Sequence, residues 1–162
     1  MNQQFELYKD LIESDVKTAL GKLNIEKDSE NNEATLWDLV VITAISQSQK
    51  TCYQRQIERK LVNNRLPKCF EFVVISDPDN SKIGSGGSTM NLINVLYERF
   101  GDSLYSKKIL LIHCGGYSQR IPYNTVLGKI FAPVPCESDY INDFLDVKLA
   151  VYTPFSVNMK PG

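Results

Sequence analysis

The run Leu39-Val40-Val41-Ile42 decides the fold predicted for this sequence, because consecutive apolar residues rich in β-branching are typical of a strand buried on both faces. Two comparable runs follow, FEFVVI at residues 70–75 and KILLIH at residues 108–113. Amphipathic helical patterns separate and follow these runs, over residues 46–63, 88–100 and 138–152. Continuously apolar strands that alternate with helices predict an α/β protein, a Rossmann-like parallel sheet with helices on both faces.

Residue 37 marks the predicted start of this α/β domain. Residues 1–36 are expected to hold an amphipathic helix and a solvated linker, which reads EKDSENNE at residues 26–33. The apolar face of that helix follows three- and four-residue steps and comprises Phe5, Tyr8, Ile12, Val16, Ala19 and Leu23. The sequence ends at residues 158–162 in NMKPG, which is typical of a loop. Residues 37–162 are therefore expected to form a truncated domain.

The composition limits the partners to expect. The 162 residues are 43% apolar and 23% charged, with a formal net charge of −1, so neither nucleic acid nor an anionic membrane is an expected partner. The first ten residues lack the pattern of a secretory signal, and no apolar run approaches the roughly 18 residues that span a bilayer, so we expect a cytoplasmic protein. Four dispersed cysteines and a single histidine, His113, predict neither a zinc site nor a disulfide framework.

A glycine-rich loop is predicted between the second strand and the second of these helices. Its candidate nucleotide-binding residues are Gly84, Ser85, Gly86, Gly87 and Ser88. Glycines can turn backbone N–H groups toward one point, and the following helix N-terminus adds partial positive charge, which together favour an anion. The loop lacks the Lys-Ser/Thr ending of a Walker loop, and Thr89 replaces the third glycine of a dinucleotide fingerprint. A purely structural glycine turn remains the alternative.

A second loop follows the third strand and carries more chemistry. Its residues are Gly115, Gly116, Tyr117, Ser118, Gln119 and Arg120. Two glycines allow the backbone to approach a ligand closely, and the Arg120 guanidinium can contact phosphate through two parallel hydrogen bonds. Lys129 follows nine residues later and adds a mobile point charge, so both cations can flank one polyphosphate. The alternative for either side chain is a solvated surface position.

These residues resemble the sugar nucleotidylyltransferases, whose glycine-rich loop is followed by Arg and, about ten residues later, by Pro-Lys. The sequence departs from that pattern at Ser118-Gln119 and at Gly128, which stands in place of the proline. At both positions the sequence resembles one branch of these enzymes, the fucose-1-phosphate guanylyltransferases, also called GDP-fucose pyrophosphorylases. The resemblance covers residues 37–162 and rests on three strings, WDLVVITA, DPDNSKIGSGGST and HCGGYSQRIPYNTVLGKIFAPVP.

The resemblance implies an enzyme that forms GDP-L-fucose and pyrophosphate from GTP and L-fucose 1-phosphate, with Mg²⁺ as cofactor. It implies that Arg120 holds the leaving β- and γ-phosphates and that Lys129 neutralises charge at the reacting phosphates. The backbone of residues 115–117 would receive the nucleotide, and residues 84–88 would line its base or ribose side. His113 is interpreted as a hydrogen-bonding residue at a strand end rather than as a general base.

No metal ligand can be assigned from the sequence, because the resembling enzymes hold Mg²⁺ with aspartates of later strands. Asp139, Asp143 and Asp146 are interpreted as a solvated polar face of the last helix. Two hypotheses stay open: a working guanylyltransferase, and a truncated, catalytically inactive nucleotide-binding fragment. A dinucleotide-binding Rossmann domain is less favoured, because His113 stands where an acidic residue is expected. An incomplete sheet also predicts self-association through an uncovered edge.

Overall fold

The computed structural model describes residues 37–78, 81, 83–114, 124, 127–134, 143–156 and 158–161. These residues form three strands, β1 (Leu39–Ala44), β2 (Glu71–Ser76) and β3 (Ile109–Ile112). The α-helices are α1 (Gln47–Val62), α2 (Gly84–Phe100) and α3 (Phe144–Ser156). Short 3-10 helices cover Gly101–Ser106 and Lys129–Phe131. The amino-terminal helix and linker predicted over residues 1–36 lie outside the described residues.

The described strands form one parallel sheet in the order β2-β1-β3. Leu39 pairs with Glu71 on one side and with Ile109 on the other. All six residues of β1 are buried, as expected for the central strand of a sheet that is covered on both faces. The predicted α/β class and the parallel sheet are therefore confirmed.

Side chains that alternate along β1 divide the core into two layers. Val40, Ile42 and Ala44 belong to the apolar cluster that also contains Tyr53 of α1 and Leu145 of α3. Leu39 and Val41 belong to the opposite cluster, which contains Leu92 and Leu96 of α2. The prediction of helices on both faces is confirmed, with α1 and α3 on one face and α2 on the other.

The start of α1 follows from its capping residues. Ser46 is the N-cap, and its Oγ accepts a hydrogen bond from the backbone N–H of Gln49 at 3.2 Å. The Gln49 side chain reaches back, and its Oε1 accepts from the Ile45 N–H at 2.9 Å. Two backbone donors at the helix start are thus satisfied, which is the logic of a capping box. The helix predicted over residues 46–63 agrees with Gln47–Val62.

The start of α2 corrects the predicted glycine loop. The helix begins at Gly84, so residues 84–88 form its first turn rather than a loop that precedes it. Glycine has a low intrinsic helix propensity, and that low propensity is what favoured a loop in the sequence. Ser88 and Leu92 are buried against the sheet, and packing along the helix outweighs the cost of the glycines.

The polar residues at the start of α3 correct a second prediction. Asp143 Oδ1 accepts from the backbone N–H groups of Leu145 and Asp146, at 3.1 and 3.2 Å. Both aspartates also bind Lys60 Nζ, with N···O distances of 2.6 Å for Asp143 and 2.8 Å for Asp146. The interpretation of Asp143 and Asp146 as a solvated polar face is therefore wrong. Asp139 and the predicted helix start at residue 138 lie outside the described residues.

In the part of the chain that the structure describes, no helix combines the length and the apolar character needed to cross a bilayer.

Candidate functional site

The strand order creates a switch point at the carboxyl ends of β1 and β3. The chain passes from β1 through α1 to its neighbour β2, and then through α2 to the opposite side of β1. The connection from β1 to β2 therefore runs over one face of the sheet, through α1, and the connection from β2 to β3 runs over the opposite face, through α2. In doubly wound sheets, ligands bind in the crevice that this reversal opens.

Hydrogen bonds tie the segments that leave the outer strands to β1. The Asp77 N–H donates to the Ala44 carbonyl at 2.8 Å, just after β2. The Cys114 N–H donates to Thr43 Oγ1 at 3.0 Å, just after β3. The backbone that leads into residues 115–123 thus starts from a fixed point on the central strand.

The first turn of α2 offers backbone donors without a side-chain cap. The N-cap residue is Ile83, which has no capping side chain, and Gly84 has a φ of +66°. A Cβ added at Gly87 would lie 2.7 Å from Ile83 Cβ, whereas one added at Gly86 would meet no atom within 4 Å. Glycine is therefore required at residue 84 by the backbone conformation and at residue 87 by packing, whereas neither reason applies to Gly86. The first N–H groups of a helix lack intrahelical partners and favour an anion.

His113 joins the end of β3 to this turn. The Thr89 hydroxyl donates to the Ser85 carbonyl at 2.9 Å, and His113 Nε2 lies 3.1 Å from the same hydroxyl oxygen. His113 Nε2 and the Thr89 hydroxyl thus lie within hydrogen-bond distance, which links the end of β3 to the first turns of α2. This contact agrees with the interpretation of His113 as a hydrogen-bonding residue at a strand end.

Lys129 lies on the opposite face of the sheet, in a segment that packs against α1. The Gln56 side chain donates to the Leu127 carbonyl at 2.9 Å. The Tyr53 ring contacts Phe131 edge-on, with 5.3 Å between the ring centroids. Lys129 itself is exposed and begins the 3-10 helix. Its ammonium group is therefore available to a ligand, while the backbone on both sides of it is packed.

Gly128 explains one departure from the wider nucleotidylyltransferase pattern. Its φ is +84°, which proline cannot adopt because its ring fixes φ near −65°. A Cβ at this position would overlap the Tyr53 ring. The residue before Lys129 must therefore be glycine in this chain. The helix pattern over residues 46–63 carried no signal for this contact between Tyr53 and Gly128.

The groups beneath this segment carry no negative charge near neutral pH. Burial raises the pKa of the Tyr53 phenol, and nearby Cys114 and Cys52 raise it further. Burial also raises the pKa of the Cys114 thiol to about 12, although Lys148 opposes that rise. Both groups stay protonated, so they do not compete with a phosphate for Lys129.

The structure therefore brings the candidate residues to two sides of one sheet. Residues 84–88 begin α2 on one face, and Lys129 lies on the face that α1 covers. The end of β3 leads into the second glycine loop, residues 115–120. Gly115, Gly116, Tyr117, Ser118, Gln119 and Arg120 lie outside the described residues, so their predicted roles stay predictions.

The described residues do not fit a Mg²⁺ ion. No group of three His, Cys, Asp or Glu side chains comes together among them. The strongest acidic pair, Asp143 and Asp146, uses its carboxylate oxygens for Lys60 and for backbone N–H groups at the start of α3. Burial also raises the pKa of Asp143, although Lys60 opposes that rise. This pair is a structural ion cluster.

The described residues define a doubly wound α/β domain, with the first turn of α2 on one face of its sheet and the exposed Lys129 on the other. Comparison with known proteins is more specific, because residues 101–162 match the fucose pyrophosphorylase domain. That match includes Arg120 and Lys129. The resemblance to fucose-1-phosphate guanylyltransferases inferred from the sequence is confirmed.

Curated relatives agree with this match. The chain is 44% identical over 126 residues to the fucose-1-phosphate guanylyltransferases of Mus musculus and Homo sapiens, which covers 78% of this chain and 21% of each relative. It is 33% identical over 119 residues to the bifunctional fucokinase/GDP-fucose pyrophosphorylase of Arabidopsis thaliana, which covers 61% of this chain and 11% of that relative. The chain thus spans about a fifth of the length of the first two relatives. No solved structure matches it.

Proposed function

We propose that this chain carries part of a guanylyltransferase that forms GDP-L-fucose and pyrophosphate from GTP and L-fucose 1-phosphate. The observation that carries the proposal is the fucose pyrophosphorylase match over residues 101–162, which includes the second glycine loop and Lys129. The exposed Lys129 on a packed backbone and the uncapped start of α2 support it, because both favour a polyanion.

The proposed reaction is an in-line phosphoryl substitution. An oxygen of L-fucose 1-phosphate attacks the α-phosphorus of GTP and forms a new P–O bond. The bond from the α-phosphorus to the oxygen that bridges to the β-phosphorus breaks, and pyrophosphate leaves with its electron pair. The attacking phosphate monoester is already anionic near neutral pH, so no general base is required.

Charge neutralisation is the main task left to the protein in such a reaction. In the proposal, Lys129 offsets charge at the reacting phosphates and Arg120 holds the leaving pyrophosphate. The N–H groups of residues 84–88 contact the nucleotide on the other face of the sheet. Mg²⁺ belongs to the proposal through the resemblance, and no step is assigned to it because the described residues do not fit it.

A second candidate function is nucleotide binding without catalysis. One observation favours it: the paired aspartates, Asp143 and Asp146, are engaged by Lys60. Under this alternative, GTP binds at the carboxyl edge of the sheet but no transfer follows.

The experiment that separates the two measures GTP binding by calorimetry and pyrophosphate release with GTP, Mg²⁺ and L-fucose 1-phosphate. Lys129→Ala and Arg120→Ala should each weaken GTP binding at least tenfold. Lys68→Ala is the matched control, because Lys68 is exposed and precedes β2, at the opposite edge of the sheet. Sugar-dependent release supports the transferase, whereas binding without release supports the second candidate. Absence of GTP binding by the folded wild type would exclude both.

Cytoplasmic location and self-association remain predictions. Self-association is supported by the described sheet, in which β2 and β3 each have one side without a described neighbouring strand. Sedimentation over a range of protein concentrations tests it, and a monomer at all concentrations would contradict it.

A further inference from the structure

We propose that Tyr53 is the positioning residue for Lys129, a role that rests on the proposed contact between Lys129 and the nucleotide phosphates. Tyr53 lies in the second turn of α1 and is fully buried. Its ring contacts the residue before Lys129 and, through Phe131, the 3-10 helix that Lys129 begins. The ring therefore fixes the backbone on both sides of the lysine.

The contact with Gly128 is specific in shape. The Tyr53 ring occupies the space that a side chain at residue 128 would fill, and the Gly128 backbone has a φ of +84° at this contact. The Gly128 carbonyl then accepts from the Phe131 N–H at 3.2 Å, and the Lys129 carbonyl accepts from the Ala132 N–H at 3.2 Å. These two bonds close the turn that holds Lys129.

A second contact from the same helix supports this arrangement. Gln56 lies three residues after Tyr53 in α1, and its side chain donates to the Leu127 carbonyl. The Gly128 N–H donates to the Asn124 carbonyl at 3.0 Å. The backbone that precedes Lys129 is thus held from α1 and from its own chain, while the lysine side chain remains exposed.

The ring, rather than the hydroxyl, does the positioning. Within the described residues the buried Tyr53 hydroxyl has no hydrogen-bond partner. A buried hydroxyl without a partner carries a desolvation cost, so its removal should not loosen the segment. Tyr53→Phe is therefore the conservative variant that keeps the function, and Tyr53→Leu is the variant that removes the ring contact.

The first test is independent of nucleotide. Amide hydrogen exchange is measured at Phe131 and Ala132 in the whole chain. In Gly128→Ala and in Tyr53→Leu, the exchange rates of both amides should rise at least tenfold beyond the increase that the loss of global stability alone would cause. Tyr53→Phe should leave both rates within about threefold of wild type. Ile57→Ala is the matched control, because Ile57 is buried in the same apolar cluster, one turn further along α1. Equal acceleration in Ile57→Ala would overturn the proposal.

The second test is a double-mutant cycle on GTP affinity. If Gly128 acts only by placing Lys129, Gly128→Ala should weaken GTP binding at least fivefold in the wild-type background and less than twofold in the Lys129→Ala background. Equal losses in both backgrounds would indicate a general structural effect and would overturn the proposal. GTP serves as the probe, and guanosine serves as the control ligand without phosphates.

The two tests fail separately. If the wild type binds no GTP, the proposed function fails, and hydrogen exchange still decides whether Tyr53 fixes the Lys129 turn. If GTP binds through Lys129 but the two amides exchange at wild-type rates in Gly128→Ala, the proposed function stands and Tyr53 has no positioning role.

Discussion

Gly86→Ala distinguishes what the fold requires at the first turn of α2 from what nucleotide binding requires there. Gly86 is exposed, and a Cβ at this position would meet no atom within 4 Å. Its φ is not positive, unlike that of Gly84. The protein fold therefore gives no reason for glycine here, and a bound nucleotide that approaches the backbone would.

The expected stability change can be derived from helix propensity. Replacing glycine by alanine inside a helix stabilises it by roughly 0.5–1 kcal/mol. For a domain of this size, that gain raises the Tm by roughly 1–4 °C. Gly87→Ala should act in the opposite direction, because its Cβ would lie 2.7 Å from Ile83 Cβ. Overpacking of this kind costs about 1–3 kcal/mol.

The assay combines thermal unfolding with GTP calorimetry. Gly86→Ala should raise the Tm and weaken GTP binding at least tenfold. Asn94→Ala is the matched control, because Asn94 is exposed on the same helix, more than two turns from Gly86. It should raise stability through helix propensity and leave GTP affinity unchanged. If Gly86→Ala bound GTP as tightly as Asn94→Ala does, residues 84–88 would not contact the nucleotide.

Three further predictions concern packing and reactivity. Lys60→Met should lower the free energy of unfolding in urea by roughly 3 kcal/mol, because Asp143 and Asp146 lose their shared cation. Adding Asp143→Asn should recover part of that free energy. A loss below about 1 kcal/mol in Lys60→Met would contradict this account. Lys108→Met should lower the free energy of unfolding by about 1–3 kcal/mol in the same assay, because the buried Lys108 ammonium donates to the Ser156 carbonyl at the end of α3. Wild-type stability in this variant would show that the hydrogen bond contributes nothing. At pH 8 the exposed Cys69 should react with iodoacetamide. Cys114 should stay unmodified until the protein unfolds, because burial raises the pKa of its thiol to about 12. Equal labelling of the Cys69 and Cys114 peptides, measured by mass spectrometry, would refute this prediction.

The sequence predicted the strands and the layers because their signals are local. Runs such as LVVI are buried on both faces of a sheet, and the structure confirms this for every residue of β1. The start of α1 was equally readable, since Ser46 is a strong N-cap residue and its side chain does cap the helix.

Long-range contacts explain what the sequence did not reveal. Asp143 pairs with Lys60, which is 83 residues away, so a helix pattern could only suggest a solvated face. Tyr53 follows the spacing of a core residue, and its contact with Gly128 depends on a turn that closes more than seventy residues later. Local propensity also misled at Gly84, where tertiary packing extends α2 through its glycines.

The nucleotide-binding roles of residues 84–88 and of Lys129 stay predictions. Lys129 is exposed on a packed turn, which fits a solvated surface position as well as a phosphate ligand, and residues 84–88 form the first turn of α2 rather than the predicted loop. Arg120 and the second glycine loop lie outside the described residues. Their place in the proposal comes from the resemblance and from the match over residues 101–162.

Direct detection of GDP-L-fucose tests the proposed activity most plainly. The chain is incubated with GTP, L-fucose 1-phosphate and Mg²⁺, and the product is quantified by mass spectrometry beside Lys129→Ala and Lys68→Ala. We predict product with the wild type and with Lys68→Ala, and at least a hundredfold less with Lys129→Ala. Product formation at equal rates in all three would contradict the role of Lys129, and its absence with folded wild-type protein would contradict guanylyl transfer by this chain.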